Sequence, residues 1–384
     1  MKNIPEQIVK LIFEKEYREL TADENNRLQL WLDESAGNKN AAKELSGLLR
    51  AYVKVNRYEH IDAEKAWKSV KARTLLRPKS RKNVLFRPAT MAAAIIVPLF
   101  IIASLLYFMD SSRQFDNIKA GSPKAILELA SGDKLMINSE NQGAVLDAKG
   151  TEIGMNSENT LVCYPPSSGV KEDNTLIVPI GGEYRLVLSD GTKIAVNSGS
   201  KIRYPNVFNG SERVVELEGE AYFEVAKDAD RPFIVKTRYS DVVVTGTKFN
   251  VCSYRDDNFQ HITLEEGSVN IKRGEELSTL TPGKQYFLDK ITKKAQVADV
   301  DTYLYTSWKE GVSRFQNMEL DQLTAKMHRW YNIKFKFSNA EAKKLRFTGA
   351  FDRSSNLGEF VKIIESTTDV RFDWNDGEVL VSKK

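Results

Sequence analysis

The stretch RLVLSDGTKIAVN, residues 185–197, repeats the pattern of ILELASGDKLMIN, residues 126–138. In each copy apolar and polar residues alternate on both sides of a short turn that contains glycine, a pattern that predicts a β-hairpin. Further segments of the same kind lie at 213–226, 232–254 and 261–271. We therefore expect residues 110–300 to form an all-β domain of stacked hairpins, arranged as a solenoid or like a sandwich.

The last segment, residues 301–384, has a different pattern in which strand and helix alternate twice. Its two halves correspond, with Leu320 matching Leu357 and Met327 matching Ile364. The predicted strands lie at 312–316, 333–337, 346–351, 370–374 and 379–382, and the predicted helices at 319–331 and 355–367. This pattern predicts a C-terminal α/β domain of duplicated βαβ units.

Residues 89–109, ATMAAAIIVPLFIIASLLYFM, carry no charged side chain. This is the length that a helix needs to cross a hydrocarbon core of about 30 Å, so the segment predicts one transmembrane helix. A buried core helix is the alternative, but such helices rarely run so far without a polar face. Pro98 lies in the middle of the segment and marks a candidate hinge or cleavage region.

The charges on the two sides of this segment are unequal. Eight Lys and Arg residues and no acidic residue lie between Lys68 and Pro88, whereas residues 110–124 contain three basic residues. Under the positive-inside rule, this asymmetry predicts an inner-membrane protein with a cytoplasmic N-terminus and a periplasmic C-terminus. Residues 77–88 then form a basic linker beside the membrane, for which a DNA-binding patch is the less favoured interpretation.

Residues 1–76 have the apolar spacing of four short helices, which predicts a small all-α cytoplasmic bundle. Thr21 and Glu24 form a capping-box pattern at the start of the second helix. Such a bundle has little core of its own, so an apolar surface that closes on a partner would account for its size. The candidate contact residues are Leu28, Trp31, Leu32, Leu45, Leu49 and Trp67, although each could instead fill the core of the bundle.

The sequence contains no recognisable catalytic motif, and its three histidines lie in unrelated contexts. Cys163 and Cys252 do not form a CxxC pair, and the sequence leaves open whether they form a disulfide. The acidic pairs Glu216/Glu218 and Glu265/Glu266 lie on predicted strand faces or turns. We therefore predict a non-enzymatic protein without cofactor or metal. The net charge of +4 also argues against direct binding to nucleic acid.

Six motifs then stand in a familiar order, at 188–197, 204–205, 219–225, 232–235, 244–251 and 280–285. They resemble the central domain of the FecR family of transmembrane anti-sigma regulators, with Thr245 standing where that family often has Leu. Near the C-terminus, Trp308, Gly311, Phe315, Leu320, 329–331 and 347–349 are similar to the extra domain of FecR proteins that pair with SusC-like receptors. That domain resembles the short N-terminal module of secretins and TonB-dependent transducers.

The resemblance implies a relay across the cell envelope. Residues 1–76 would bind an extracytoplasmic-function sigma factor, an expectation that comes from domain order. The exported part would respond to the periplasmic signalling domain of a TonB-dependent outer-membrane receptor, and membrane proteases are a further candidate partner. The candidate receptor contacts are Phe315, Arg329, Trp330, Tyr331 and Phe347.

Two other functions fit the same pattern. The chain could be an envelope scaffold or assembly protein, in which the hairpins and βαβ units serve as structure. It could also be a periplasmic glycan-binding protein that uses exposed tyrosine and tryptophan. In both cases the single helix would only anchor the chain.

Overall fold

The computed structural model describes residues 21–33, 35, 38, 114–166 and 169–383. Of these residues 48% lie in strands and 18% are helical. The chain divides into two compact units, Met1–Met91 and Ala92–Lys384.

In the first unit, the described residues form helix α1, Ala22–Asp33. The predicted capping box is confirmed, because the Thr21 backbone N–H donates to Glu24 Oε2 at 2.9 Å and the Glu24 N–H donates to Thr21 Oγ1 at 3.4 Å. These two bonds satisfy backbone groups that the start of a helix leaves without partners.

The second unit begins with eighteen strands, which we call the β body. Their bounds are β1 Ser122–Glu128, β2 Lys134–Asn138, β3 Gly143–Leu146, β4 Glu152–Ser157, β5 Thr160–Cys163, β6 Asp173–Val178, β7 Gly182–Val187, β8 Lys193–Val196, β9 Ser200–Pro205, β10 Arg213–Glu224, β11 Phe233–Lys236, β12 Asp241–Val244, β13 Lys248–Ser253, β14 Phe259–Glu266, β15 Val269–Arg273, β16 Glu276–Leu280, β17 Lys284–Asp289 and β18 Ala295–Asp299. The hairpins predicted from the repeat are confirmed as the antiparallel pairs β1–β2 and β7–β8.

These strands form one hydrogen-bonded sheet, whose two halves share the long strand β10. One half runs β2-β1-β6-β9-β10-β11-β12-β15-β16, and the other runs β3-β4-β5-β7-β8-β10-β13-β14-β17-β18. Strand β10 changes partners at Gly219, which has φ +110°. A Cβ there would lie 2.6 Å from Ser200 Cα, so this crossing requires glycine.

Between the two halves lies a single apolar core that runs the length of the β body. Phe223 of β10 and Phe249 of β13 stack near its middle, with ring centroids 5.1 Å apart. Buried positions alternate with exposed ones along most strands. In β9, for example, Ser200, Ile202 and Tyr204 are buried, whereas Lys201 and Arg203 are exposed. This alternation is the period that the sequence repeat predicted.

The remaining elements form what we call the C-terminal module, residues 301–383. They are helix α2 Tyr303–Thr306, a 3₁₀ turn Ser307–Glu310, β19 Val312–Glu319, α3 Leu320–Tyr331, β20 Lys334–Phe337, α4 Ala340–Lys343, β21 Arg346–Asp352, α5 Leu357–Thr367, β22 Val370–Asn375 and β23 Glu378–Lys383. The main helices and strands occur in the predicted order.

The two predicted βαβ units are interleaved. Strand β19 pairs antiparallel with β21, and β20 pairs parallel with β23, which also pairs antiparallel with β22. The strands that flank each long helix therefore do not pair with each other. A segment from before β1 also joins the core of this module, where the Phe115 ring lies edge-on to Trp374 with centroids 6.0 Å apart.

The predicted fold class is wrong for the described part of the chain, which is mostly β. The strands of the β body form one shared, barrel-like sheet and not a solenoid or sandwich-like stack of separate hairpins, because β10 pairs with four other strands. Hairpin periodicity specifies neighbours in sequence but leaves such long-range pairing open. No all-α bundle is visible in the described ranges, where α1 is the one helix before residue 114.

Among the described residues, no helix is both long and apolar enough to cross a membrane. The segment 89–109, for which a transmembrane helix was predicted, lies outside the described residues. The predicted domain boundaries, at 76, 88, 109 and 300, stay predictions.

Candidate functional site

The β body and the C-terminal module meet through a closed ring of hydrogen bonds, which we call the polar junction. Trp308 Nε1 donates to Asn250 Oδ1 at 3.1 Å, and Asn250 Nδ2 donates to Glu220 Oε1 at 3.0 Å. Asn197 Nδ2 donates to the other oxygen of Glu220 at 2.7 Å. Arg353 closes the ring, because it donates to Asn197 Oδ1 at 2.9 Å and to the Trp308 carbonyl at 3.0 Å.

Three of these residues come from neighbouring strands of the β body. The Asn197 N–H bonds to the Glu220 carbonyl across β8 and β10, and Asn250 pairs with Tyr222, two residues from Glu220. Residues two apart on a strand point to the same face, so the three polar side chains converge on one side of the sheet. The site therefore depends on β10 lying between β8 and β13.

Arg353 is held in place by aromatic rings as well as by hydrogen bonds. Its guanidinium carbon lies 3.7 Å from the centroid of Trp330 and 5.7 Å from that of Trp308. Burial lowers the pKa of Arg353, an effect that the carboxylates of Glu183 and Glu220 oppose. A buried arginine stays charged, so its loss would leave these carboxylates without a nearby cation.

A second set of contacts, the arginine clasp, consists of Arg329, Tyr254, Asp256 and Asp257. Arg329 stacks 3.8 Å above the Tyr254 ring and pairs with both oxygens of Asp257, including a 3.2 Å bond to Oδ2. Asp256 lies 3.1 Å from the same guanidinium. Burial acts to lower the pKa of Arg329, but the neighbouring carboxylates outweigh it and the net shift is upward.

The connection between the two regions is fixed to the sheet as well. Lys309 Nζ lies 3.9 Å from the centroid of Tyr222 and 3.4 Å from Glu265 Oε2, which also accepts a bond from the Tyr222 hydroxyl. Next to it, the His261 ring packs against Phe287 and Tyr305, with centroids 5.1 and 6.0 Å away. Burial lowers the pKa of His261. Lys309 and Tyr305 thus add further contacts between the module and the β body.

All five candidate receptor contacts are buried. Phe315 and Phe347 lie in the core of the C-terminal module, and the Tyr331 hydroxyl donates to the Ser355 carbonyl at 2.8 Å. Trp330 covers Arg353, and Arg329 forms the clasp. The structure thus gives each of these side chains an internal partner, and their contact with a receptor stays a prediction.

Of the candidate sigma-factor contacts, three lie on α1. Leu28 is buried, whereas Trp31 and Leu32 are half-buried. Leu45, Leu49, Trp67 and the candidate hinge Pro98 lie outside the described residues. Contact of these residues with a sigma factor also stays a prediction.

The described residues contain no group of three or more His, Cys, Asp and Glu side chains that could hold a metal ion. Cys163 and Cys252 are both free thiols, and burial raises the pKa of Cys163 to about 12. Glu216 and Glu218 are exposed on a strand face, as expected from the sequence. The polar junction and the arginine clasp form the interface between the β body and the C-terminal module.

Sequence reasoning missed the polar junction. A signal was nevertheless present, because Glu220 in GEAYFEV and Asn250 in KFNV are polar residues inside apolar strand motifs. Glu220 and Asn250 are 5% and 1% exposed, and a buried polar side chain needs a partner. What the sequence could not supply was the identity of those partners. Glu220 accepts from Asn197 and Asn250, and Asn250 accepts from Trp308, which lies far along the chain.

Two family models match the chain. Residues 174–270 match the model described as FecR protein, and residues 313–381 match the model described as FecR, C-terminal. The predicted resemblance to the FecR family is therefore confirmed over these two segments. In the polar junction, Asn197, Glu220 and Asn250 lie in the first match, Trp308 lies between the two matches, and Arg353 lies in the second.

The chain is also similar to two crystal structures of a protein from Parabacteroides distasonis ATCC 8503 that is provisionally assigned as an anti-sigma factor. In both, 28% of aligned residues are identical, and the match covers 55% of this chain and 99% of that one. The TM-scores are 0.53 for the 2.50 Å structure and 0.52 for the 1.65 Å structure. No curated protein matches the chain. Together the findings support a regulatory role in signal transduction, as an anti-sigma factor.

Proposed function

We propose that this chain relays a signal from a TonB-dependent outer-membrane receptor to an extracytoplasmic-function sigma factor. In this proposal the receptor's periplasmic signalling domain acts on the strand-rich second unit, and the N-terminal residues hold the sigma factor. Release or activation of the sigma factor would control transcription of nutrient-uptake genes.

The observation that carries the proposal is the position of the segment before β1. Phe115 packs in the core of the C-terminal module, Asp116 lies 3.0 Å from Lys362 Nζ, and the Leu357 N–H bonds to the Ile118 carbonyl at 3.1 Å. The chain that leads from the N-terminal residues therefore contacts this module before it enters the β body. A change in the module would reach that segment directly.

The polar junction and the arginine clasp also support this proposal. They connect the module to the β body through charged groups and hydrogen bonds that are satisfied only in one arrangement. Such a contact specifies orientation more than it adds stability. The inner-membrane location, with the N-terminus in the cytoplasm, stays a prediction, as does cleavage by membrane proteases.

The experiment is to express the tagged full chain in its native host and identify the proteins that purify with it. We expect an extracytoplasmic-function sigma factor in roughly equal amount. Trp31→Glu, which adds a charge to the half-buried side of α1, should reduce that recovery. The matched control is Asn26→Glu, which adds the same charge at an exposed position of the same helix.

Equal recovery with both variants would remove α1 as the contact. If no sigma factor were recovered while the chain still bound an outer-membrane receptor, the anti-sigma proposal would fail and an envelope scaffold would be the better account.

A further inference from the structure

Strand β18 is an open edge of the sheet. Within the described part of the chain it pairs with β17 and with no other strand. All five of its residues are exposed, so neither of its faces packs against a core. The strand is held in place by its hydrogen bonds to β17.

The free backbone groups of this edge can be identified from the ladder. The Asp289 N–H donates to the Lys294 carbonyl at 3.0 Å, and the Val300 N–H donates to the Gly283 carbonyl at 2.9 Å. In an antiparallel pair the inward and outward backbone groups alternate, so even-numbered residues of β18 face β17. The N–H and C=O groups of Ala295, Val297 and Asp299 therefore point away from the sheet.

In most proteins a proline, a β-bulge or an inward-pointing charge on an edge strand prevents the edge of a sheet from pairing with another chain. Strand β18 contains no proline, and its register with β17 is continuous from Lys284↔Asp299 to Leu288↔Ala295. Its central residue is the apolar Val297, which is 42% exposed. The edge is therefore suited to accept another strand.

The charges around the edge indicate which strand would fit. Lys293 and Lys294 precede β18, whereas Asp299 and Asp301 lie at its other end. A second copy of β18 in antiparallel orientation would place the basic end of each copy beside the acidic end of the other. The Asp299 carboxylate already lies 2.8 Å from Lys284 Nζ in its own chain, so part of the negative charge at this end is neutralised before a second copy binds.

We propose that β18 is a self-association edge, at which two copies of this chain pair antiparallel about Val297. This register places Val297 opposite Val297 of the second copy and Ala295 opposite Asp299. Each of these residues presents outward backbone groups, so every facing pair can exchange hydrogen bonds. The contact is isologous and closes as a two-fold dimer, in which the two sheets become continuous. The proposal does not depend on the sigma factor or the receptor.

The first test is sedimentation velocity of the purified full chain over a wide range of concentration. We expect a monomer–dimer equilibrium. Val297→Pro removes the outward N–H and leaves the bonds to β17 in place, so it should weaken dimerisation at least about tenfold. Val297→Thr, which keeps the branched shape and the N–H, should leave it nearly unchanged. A wild-type chain that stays monomeric, or a dimer that Val297→Pro leaves intact, would overturn the proposal.

A second test does not rely on proline. One variant carries Lys293→Glu and Lys294→Glu, and the other carries Asp299→Lys and Asp301→Lys. Each should fail to dimerise alone, because like charges then meet at both ends of the edge. An equimolar mixture should restore dimers, since each acidic end again meets a basic one. Thermal melting checks that both variants fold, and a mixture that stays monomeric while both are folded would contradict the antiparallel register.

Discussion

The β body and the C-terminal module bury their apolar residues in two separate cores but share a polar contact. Within the β body the core is continuous and Arg213, a buried cation inside it, pairs with Asp190 at 2.8 Å. The contact between the two regions, by contrast, is made by buried cations. Arg353 and Arg329 of the C-terminal module form hydrogen bonds with Asn197 and Asp257 of the β body. Apolar cores stabilise each region, whereas the polar contact between them determines their relative orientation.

A buried charge has different consequences in a core and at the contact between two regions. Inside a core, losing one partner leaves an unpaired charge that cannot reach water without unfolding the region. At the contact between two regions, the same loss can be relieved if the regions separate and water enters. Substitution of a buried arginine in each setting tests this difference.

Arg213→Ala should lower the free energy of unfolding by about 3–5 kcal/mol, because it leaves the buried Asp190 carboxylate without its cation. Arg213 also donates to the carbonyls of Arg231 and Ala226, at 2.9 Å each. Urea unfolding followed by circular dichroism measures the change. Arg231→Ala is the control, since its pair with Asp228 is partly exposed and should cost at most about 1 kcal/mol. Equal losses for the two variants would contradict the assigned role of Arg213.

Arg353→Ala should cost less, about 2–3 kcal/mol, since it removes the charged donor to Asn197 Oδ1 and to the Trp308 carbonyl. Both acceptors keep a bond from a backbone N–H, that of Ser198 and that of Gly311, and water can take the place of the guanidinium. Its more telling effect should be on cooperativity. In calorimetry we expect the two regions to unfold in one coupled transition in the wild-type chain and in two separate transitions in Arg353→Ala.

The matched control for Arg353→Ala is Arg346→Ala, which removes a half-exposed arginine paired with Glu319 in the same module. It should change stability by at most about 1 kcal/mol and leave the transitions coupled. If Arg353→Ala left the unfolding coupled as well, the polar junction would not be what connects the two regions.

Acidification should give the smallest effect. Burial lowers the pKa of His261, so its neutral form is favoured in the folded state and its contribution to stability is complete above the unfolded pKa of about 6.5. As the pH falls below that value the unfolded chain takes up the proton first, and stability decreases. Lys326, Glu220 and Asp257 also act on this ring. His261→Gln should make the urea midpoint depend less on pH between about 7 and 5. If the slope were unchanged, the pH dependence would come from other groups.

Much of the local structure could be predicted from the sequence. The repeated hairpins, the capping box of α1 and the order of helices and strands after residue 311 follow from periods of two and 3.6 residues, which neighbouring residues specify by themselves. The two FecR domains could also be recognised, because their motifs are contiguous in the chain. The absence of charge in 89–109 and the basic residues before it are properties of the sequence alone, and the location that they predict remains to be tested.

How these pieces meet depends on long-range pairing and packing. Strand β10 joins two halves of one sheet because it pairs with strands on both of its sides, and the strands of the C-terminal module pair across units and not within them. Arg329 and Trp330 were predicted as receptor contacts but are buried, since their partners Asp257 and Arg353 lie elsewhere in the chain. The physical reason is that periodicity assigns a residue to a face, whereas the groups that satisfy a buried charge are chosen by long-range packing.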